Sequence, residues 1–215
     1  MQEVNKDTLL IEQHYLPNIF WFCLVISHQN LLIEAHESFQ KQTYRNRCYV
    51  LAANKVERLT VPVKVGNQHL PIREIEIDYK QKWQNKHWRT IQSAYGKAPF
   101  FEFYEDYFKG IIYSKPTLLF DLNQKLLSLC LKILGAGNKI AYTNSYQSLN
   151  QANISDLRGQ LRPEDRTGTI HAIPYGQLFG DNFEANLSII DLLFNKGPES
   201  LSFLKAQAKL LEIPQ

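Results

Sequence analysis

The sequence predicts an α/β fold: a mixed sheet that begins with a β-α-β unit, then a β-hairpin, with several helices packed on the sheet. Three observations predict it. Two short apolar runs, Thr8–Glu12 and Leu31–His36, flank a hydrophobic stretch of helical length. Two more extended runs, Cys48–Leu51 and Arg58–Val61, lie on either side of Asn54-Lys55. From Trp83 onward the apolar spacing changes from that of strands to that of helices.

Each element follows in order. Thr8-Leu-Leu-Ile-Glu12 reads as a buried strand, and Pro17 stands where a helix over 18–28 would begin. Leu31–His36 is the second strand, with Ile33 and Ala35 on one face and Leu32, Glu34 and His36 on the other. A polar, basic bend over 38–47 leads into the hairpin, whose second arm is marked as an edge by Pro62. Arg73–Tyr79 reads as extended. Trp83, His87, Ile91 and Tyr95 then share a helix face that Gly96 closes. A second helix from Pro99 would put Phe100, Phe103, Tyr104, Tyr107 and Ile111 inward. A third, over 117–134, would turn Leu119, Leu122, Leu126, Leu129 and Ile133 inward and stop at Gly135. Lys139–Asn144 reads as a strand and 147–168 as a long loop of the kind that forms site lids. Asn186–Asp191 has the form of a capping box, and an amphipathic helix over 200–212 closes the chain. With no repeat or low-complexity linker, residues 1–215 are expected to form a single domain.

Bulk composition narrows the class without naming a reaction. The chain has 215 residues, 44% hydrophobic and 21% charged, with a net charge of +3, too mild to argue for nucleic acid. The three cysteines, Cys23, Cys48 and Cys130, form no C-x-x-C pair and lie in apolar runs, so inert buried thiols are expected. No leader-like segment stands at the N-terminus, and the apolar run 19–26 is too short to span a bilayer. A cytoplasmic protein with no membrane insertion is expected.

Chemistry-capable residues gather where the two strands end. Gln13-His14-Tyr15 sits at a strand-to-helix turn, whose backbone N–H groups would attract phosphate or carboxylate, with His14 adding acid–base chemistry. Glu34 and His36 share a strand face about 7 Å apart, so Glu34, or Glu37 beside it, would orient His36 as a general base. The basic bend offers Lys41, Tyr44, Arg45, Asn46 and Arg47, a set suited to an anionic small molecule or the phosphates of a nucleotide sugar. His14, His36 and one carboxylate lack the spacing of a zinc site, so no metal is expected and no cofactor is indicated. Lys86-His87-Trp88 reads as packing; in the group His171, Tyr175, Gln177 and Asp191, His171 and Tyr175 lie by Pro174 in a loop and Asp191 reads as a helix cap. A P-loop, a G-x-G-x-x-G fingerprint, a G-x-S-x-G elbow and H-E-x-x-H are all missing.

An ordered set of segments resembles the WbqC-like proteins: Gln13-His-Tyr-Leu-Pro17, Tyr44–Arg47, Leu59-Thr-Val-Pro-Val63, Trp83 with Lys86-His-Trp88, Tyr95, Ala98-Pro99, and Asn186–Pro198. His14 departs from that pattern, which commonly has proline there. The resemblance implies a bacterial, cytoplasmic protein associated with O-antigen and other surface polysaccharides. It implies a transferase that moves an acyl or aminoacyl group to a nucleotide-linked sugar. Two alternatives stand beside it: a non-catalytic glycan- or protein-binding module, and a nucleotidyltransferase-like enzyme.

Overall fold

In the computed structural model, residues 7–64, 70–146, 153–164, 171–180 and 182–211 are described. β1 (Thr8–Glu12) leads through α1 (Ile19–Ile26) to β2 (Asn30–Glu34). The two strands pair in parallel, from Thr8 opposite Asn30 to Glu12 opposite Glu34. The expected β-α-β unit is therefore present. α1 is apolar on every side and is buried from Ile19 to Val25, as a helix clamped between layers must be.

β3 (Arg47–Leu51) and β4 (Val56–Thr60) form the antiparallel hairpin, with Arg47 opposite Thr60 and the turn closed by Ala52 N–H donating to Lys55 O. The hairpin is a two-stranded sheet of its own. α2 (Trp83–Tyr95), α3 (Phe101–Tyr113) and α4 (Leu119–Leu134) follow. α4 ends in a Schellman turn: Gly135, at φ +66°, donates to Lys132 O, and Ala136 donates to Leu131 O. β5 (Lys139–Tyr142) and β6 (Ile154–Asp156) return to the main sheet, and α5 (Ile189–Lys196) and α6 (Ser200–Ala208) complete the chain. Gly197, at φ +51°, joins the last two helices where the Phe100 ring lies against its backbone, so an added Cβ would collide with that ring.

The main sheet is parallel throughout, in the order β5-β2-β1-β6. From β1 the chain steps outward through β2 to β5, then crosses back to lay β6 on the other side of β1. The strand order reverses between β1 and β6, and the crevice beyond the carboxyl ends of such strands is where α/β sheets bind ligands. One continuous apolar core runs from Leu9 to Leu204 and takes in Cys23, Cys48 and Cys130. All three thiols are free and are pushed up by burial, Cys23 to about 12.

Several local expectations fail for physical reasons. The polar stretch 147–168 is not all loop, because Ile154–Asp156 pairs with Thr8–Leu10 as β6; 147–152 and 165–168 lie outside the described residues. Ile72–Glu74 forms a single 3₁₀ turn, after which isolated bridges at Glu76 and Ile77 replace a strand. α3 buries Phe101, Phe108 and Ile112 and turns Phe103 and Tyr107 outward, the opposite face to the one its aromatics indicate. α4 buries Leu127, Cys130, Leu131 and Leu134 alongside Leu119, Leu122 and Leu126, while Leu129 and Ile133 are only half-buried. The capping box is absent. Ser188 gives its hydroxyl to Leu16 O instead, and Asp191 turns to Tyr175.

Candidate functional site

At the carboxyl ends of β1, β2 and β6 the main-chain ladders stop, and a buried network of charged side chains begins. Glu12 closes β1 and has no exposed surface. Its Oε1 accepts from His14 Nε2 at 3.1 Å, and its Oε2 accepts from the Gly159 backbone N–H at 2.9 Å. The Arg45 guanidinium lies 3.9 Å from Oε1. Burial alone would raise the Glu12 carboxyl. The His14 hydrogen bond and charge, Arg45 and Gly159 together bring it down to about 2.

An ionised carboxylate only accepts, so the His14 proton resides on Nε2 and Nδ1 carries a lone pair. His14 Nδ1 is buried and has no hydrogen-bond partner among the described residues. The imidazole lies between Tyr44 and Trp21, at ring-centroid distances of 5.3 and 6.1 Å. Burial pushes His14 below its ordinary value despite the pull of Glu12, which keeps the ring neutral near pH 7.

Three further carboxylates hold the cations. Arg45 forks onto Glu37 through Nε at 2.7 Å and Nη2 at 2.5 Å, a bidentate pair buried at the foot of the basic bend. Glu34 Oε1 accepts from Thr143 Oγ1 at 2.7 Å and from the His36 backbone N–H at 2.8 Å, and its Oε2 accepts from Arg158 Nη1 at 2.6 Å. Arg158 also forks onto Asp156 and lies 4.8 Å above the Tyr146 ring. Four carboxylates therefore share two guanidiniums, and Arg158, with 11% of its side chain exposed against 3% for Arg45, is the cation nearer solvent.

The residues singled out from sequence separate into distinct surroundings. His14 meets Glu12, a partner not anticipated. His36 is half-buried and accepts at Nε2 from Arg73 at 3.4 Å. Glu34 grips the His36 backbone and not its ring, so the anticipated Glu34–His36 dyad is replaced, and Glu37 serves Arg45. Nor does the basic bend form an open cradle. Tyr44 packs on His14, Arg45 is paired, Asn46 donates to Val61 O, and Arg47 opens β3 opposite Thr60 with its Nε buried and without a partner among the described residues, leaving Lys41 exposed. Tyr15 is fully buried and meets His87 Nδ1 at 3.0 Å. Gln13, with its amide set to match its surroundings, donates to Phe120 O and accepts from Gln124 N in α4, each at 3.1 Å. Among the described residues no hydrogen bond, ion pair or ring contact joins His14, His36 and Arg47 to one another.

The expected anion site at the start of α1 is also closed. Asn18 Oδ1 caps Trp21 N–H at 2.8 Å, Leu187 O takes Ile19 N–H, and Asn186 Oδ1 takes Phe20 N–H. These acceptors occupy the donors that a phosphate would need. A cleft of about 420 Å³ opens instead at the ends of β2 and β5, lined by Ala35, Thr143, Asn144, Arg73, Asp121 and Gln124 among others. Thr143 joins that cleft to Glu34. Among the described residues no group of three or more His, Cys, Asp or Glu is placed to hold a metal ion, and no helix is long and apolar enough to cross a membrane.

Glu12, Asp156, Arg158, Gly159, Thr143 and Asn186 escaped the sequence reading. For Glu12 a signal existed: an acid that ends an apolar strand run, two residues before a histidine, lies on the same side of an extended chain. Arg158 and Asn186 carried none, since their partners lie 124 and 166 residues away.

The fold and site define an α/β protein with a buried, ion-paired histidine–carboxylate cluster at the reversal point of a parallel sheet. The chain belongs to the WbqC-like protein family, whose model matches residues 13–164 and 166–203. A Mycobacterium tuberculosis protein described as "Uncharacterized protein Rv1507c" is 27% identical over 228 residues, which cover 93% of this chain and 98% of that protein. No solved structure matches the chain.

Proposed function

We propose that the chain is a group-transfer enzyme that moves an acyl or aminoacyl group onto a nucleotide-linked sugar in bacterial surface-polysaccharide synthesis, with His14 as general base. The observation that carries this reading is the buried Nδ1 lone pair of His14 on an imidazole whose other nitrogen is tied to an ionised Glu12. A buried polar atom with no partner requires an explanation, and a general base waiting for its proton is one. In the step proposed, the acceptor amine or hydroxyl loses its proton to Nδ1 as its nitrogen or oxygen bonds to the acyl carbon. The donor's leaving group departs with the electron pair of the broken bond and recovers the proton from His14. Glu12 steadies the imidazolium in between.

His14 has no exposed surface, so the acceptor reaches Nδ1 only when the flanking Tyr44 or Trp21 ring shifts. Arg158, the less buried guanidinium, and Arg73 in the neighbouring cleft are the cations that would meet the sugar nucleotide's phosphates. A ligand phosphate must compete with Asp156 for Arg158. Because proline commonly replaces His14 in the family pattern, this chemistry is a property of chains that carry the histidine.

A thermal-shift screen of nucleotide sugars, followed by mass spectrometry with acyl and aminoacyl donors, tests the reading. The wild type should be stabilised by a nucleotide sugar and modify it. His14→Gln should bind that sugar unchanged and form no product. Full turnover by His14→Gln would overturn the base assignment.

One observation favours a second reading, a binding module without turnover: α3 presents Phe103 and Tyr107, 69% and 62% exposed, on one side. A glycan or protein that perturbs these two rings, with no product in any donor screen, would favour it. The nucleotidyltransferase-like reading gains no support, because the first-turn donors of α1 are already taken.

A further inference from the structure

We propose that the cleft between the hairpin and the start of α2 is a second ligand site, which takes the phosphate or diphosphate group of a small molecule. This cleft, of about 510 Å³, lies outside the network around Glu12. Three cationic side chains line it, Arg58 from β4, Lys82 just before α2 and Lys86 in its first turn, and no carboxylate does. None of the three pairs with an acid among the described residues, whereas Arg45 and Arg158 each fork onto one. Like charges gathered without a counter-charge repel one another, and an anion between them relieves that repulsion.

The helix start adds a second attraction. α2 has 13 residues, no side chain caps it, and its first turn carries no acid. Its leading N–H groups therefore lack the intrahelical acceptors that later turns have, and they present the positive end of the macrodipole.

A third, independent feature is the Trp83 indole. Trp83 lines the cleft and is 96% buried by its residual 4% exposure, yet its Nε1–H has no acceptor among the described residues. A buried donor left unmade is costly, and a shift of the indole edge toward the cleft would let a phosphate oxygen satisfy it. His87, also in the lining, is not a fourth cation. Its Nε2 meets the Thr60 carbonyl at 3.1 Å and so must carry the proton, which leaves Nδ1 to accept from the Tyr15 hydroxyl. Burial holds this histidine down to about 4.

Inorganic pyrophosphate is the probe. Isothermal titration of the full chain at low and at physiological salt should show one site whose affinity falls as salt rises. The double variant Lys82→Ala/Lys86→Ala, both exposed positions, should weaken binding about tenfold or more. The remote pair Lys132→Ala/Lys209→Ala should leave it unchanged. In ¹H–¹⁵N spectra, the indole cross-peak removed by Trp83→Phe should move on titration, while that of Trp21, which donates to Glu12 O, should stay still. Two results would overturn the site: absence of binding, or equal loss with the remote lysines. Because the proposed chemistry at His14 is read through product formation, failure of either reading leaves the other measurable.

Discussion

Glu12 and Asp191 are buried almost equally, yet their surroundings drive them in opposite directions. Glu12 ends β1 among cations and an imidazole, and its carboxyl is brought down to about 2. Asp191 sits in the first turn of α5 and meets only neutral donors, Tyr175 Oη at 2.7 Å and Gln177 Nε2 at 3.2 Å. There burial dominates, the hydrogen bonds of Tyr175 and Gln177 offset it only partly, and the carboxyl rises to about 6. Burial does not by itself set the charge of a carboxylate; the charges around it do. One cluster is built to stay ionised and the other tolerates a proton.

The largest expected effect tests the first half of that contrast. Arg45→Ala leaves Glu37 and Glu12 buried without their cation and should cost roughly 3–5 kcal/mol of stability at pH 7, read from urea midpoints. Arg45→Lys should recover only part of it, since a lysine cannot reproduce the fork onto Glu37. Asp191→Asn at the same pH should cost far less, because no fixed cation loses its partner. Similar losses in the two variants would erase the distinction.

Dependence on pH comes next, with opposite signs at the two sites. Glu12 titrates near 2 in the folded chain against an ordinary 4.5, so the folded state holds fewer protons there. Its stabilisation is present above pH 4.5 and is lost as pH falls toward 2, by roughly 3 kcal/mol in all. Glu12→Gln should flatten that limb. Asp191 moves the other way, from 3.8 up to about 6, so its contribution is complete below pH 3.8 and disappears as pH rises through 6. That fall amounts to about 2–3 kcal/mol, and Asp191→Asn should remove it. A variant whose pH profile overlays the wild type would reject the assignment at that site.

The same contrast shows what the amino-acid order makes legible. The β-α-β unit and the hairpin could be read because alternation and helical spacing are local, and Leu9–Ile11 or Trp83, His87, Ile91 and Tyr95 announce their own faces. The position of a polar cluster at the tips of β1 and β2 followed from that topology. What each tip residue touches did not follow. Glu12 is completed by Gly159, Glu34 by Arg158 and Thr143, and α1 by Asn186, all contacts made across more than a hundred residues. β6 is three residues long, too short to show any period. On α3 the aromatic side chains gave a false face, because Phe103 and Tyr107 are as apolar as Phe101 and Phe108 and only packing against Phe194 decides which pair is buried. His14 stands at the tip of β1, and the carboxylate it meets is Glu12, not Glu34 or Glu37.

The smallest effect is the most discriminating. Tyr175→Phe removes one hydroxyl, the donor of the 2.7 Å hydrogen bond to Asp191, and leaves the ring packed on Phe183 and Phe203. A hydrogen bond to a charged acceptor contributes more than one to its neutral form, so the loss should be about 1–2 kcal/mol at pH 8, where Asp191 is ionised. Below pH 4, with Asp191 protonated, the loss should shrink to a few tenths of that. The Asp191 titration should therefore move further above 6, since the bond that favours the anion is gone and burial is left less opposed. A loss independent of pH would mean that the hydroxyl contributes through packing alone. It would also mean that neutral donors do not restrain this carboxyl in the way that charged neighbours restrain Glu12.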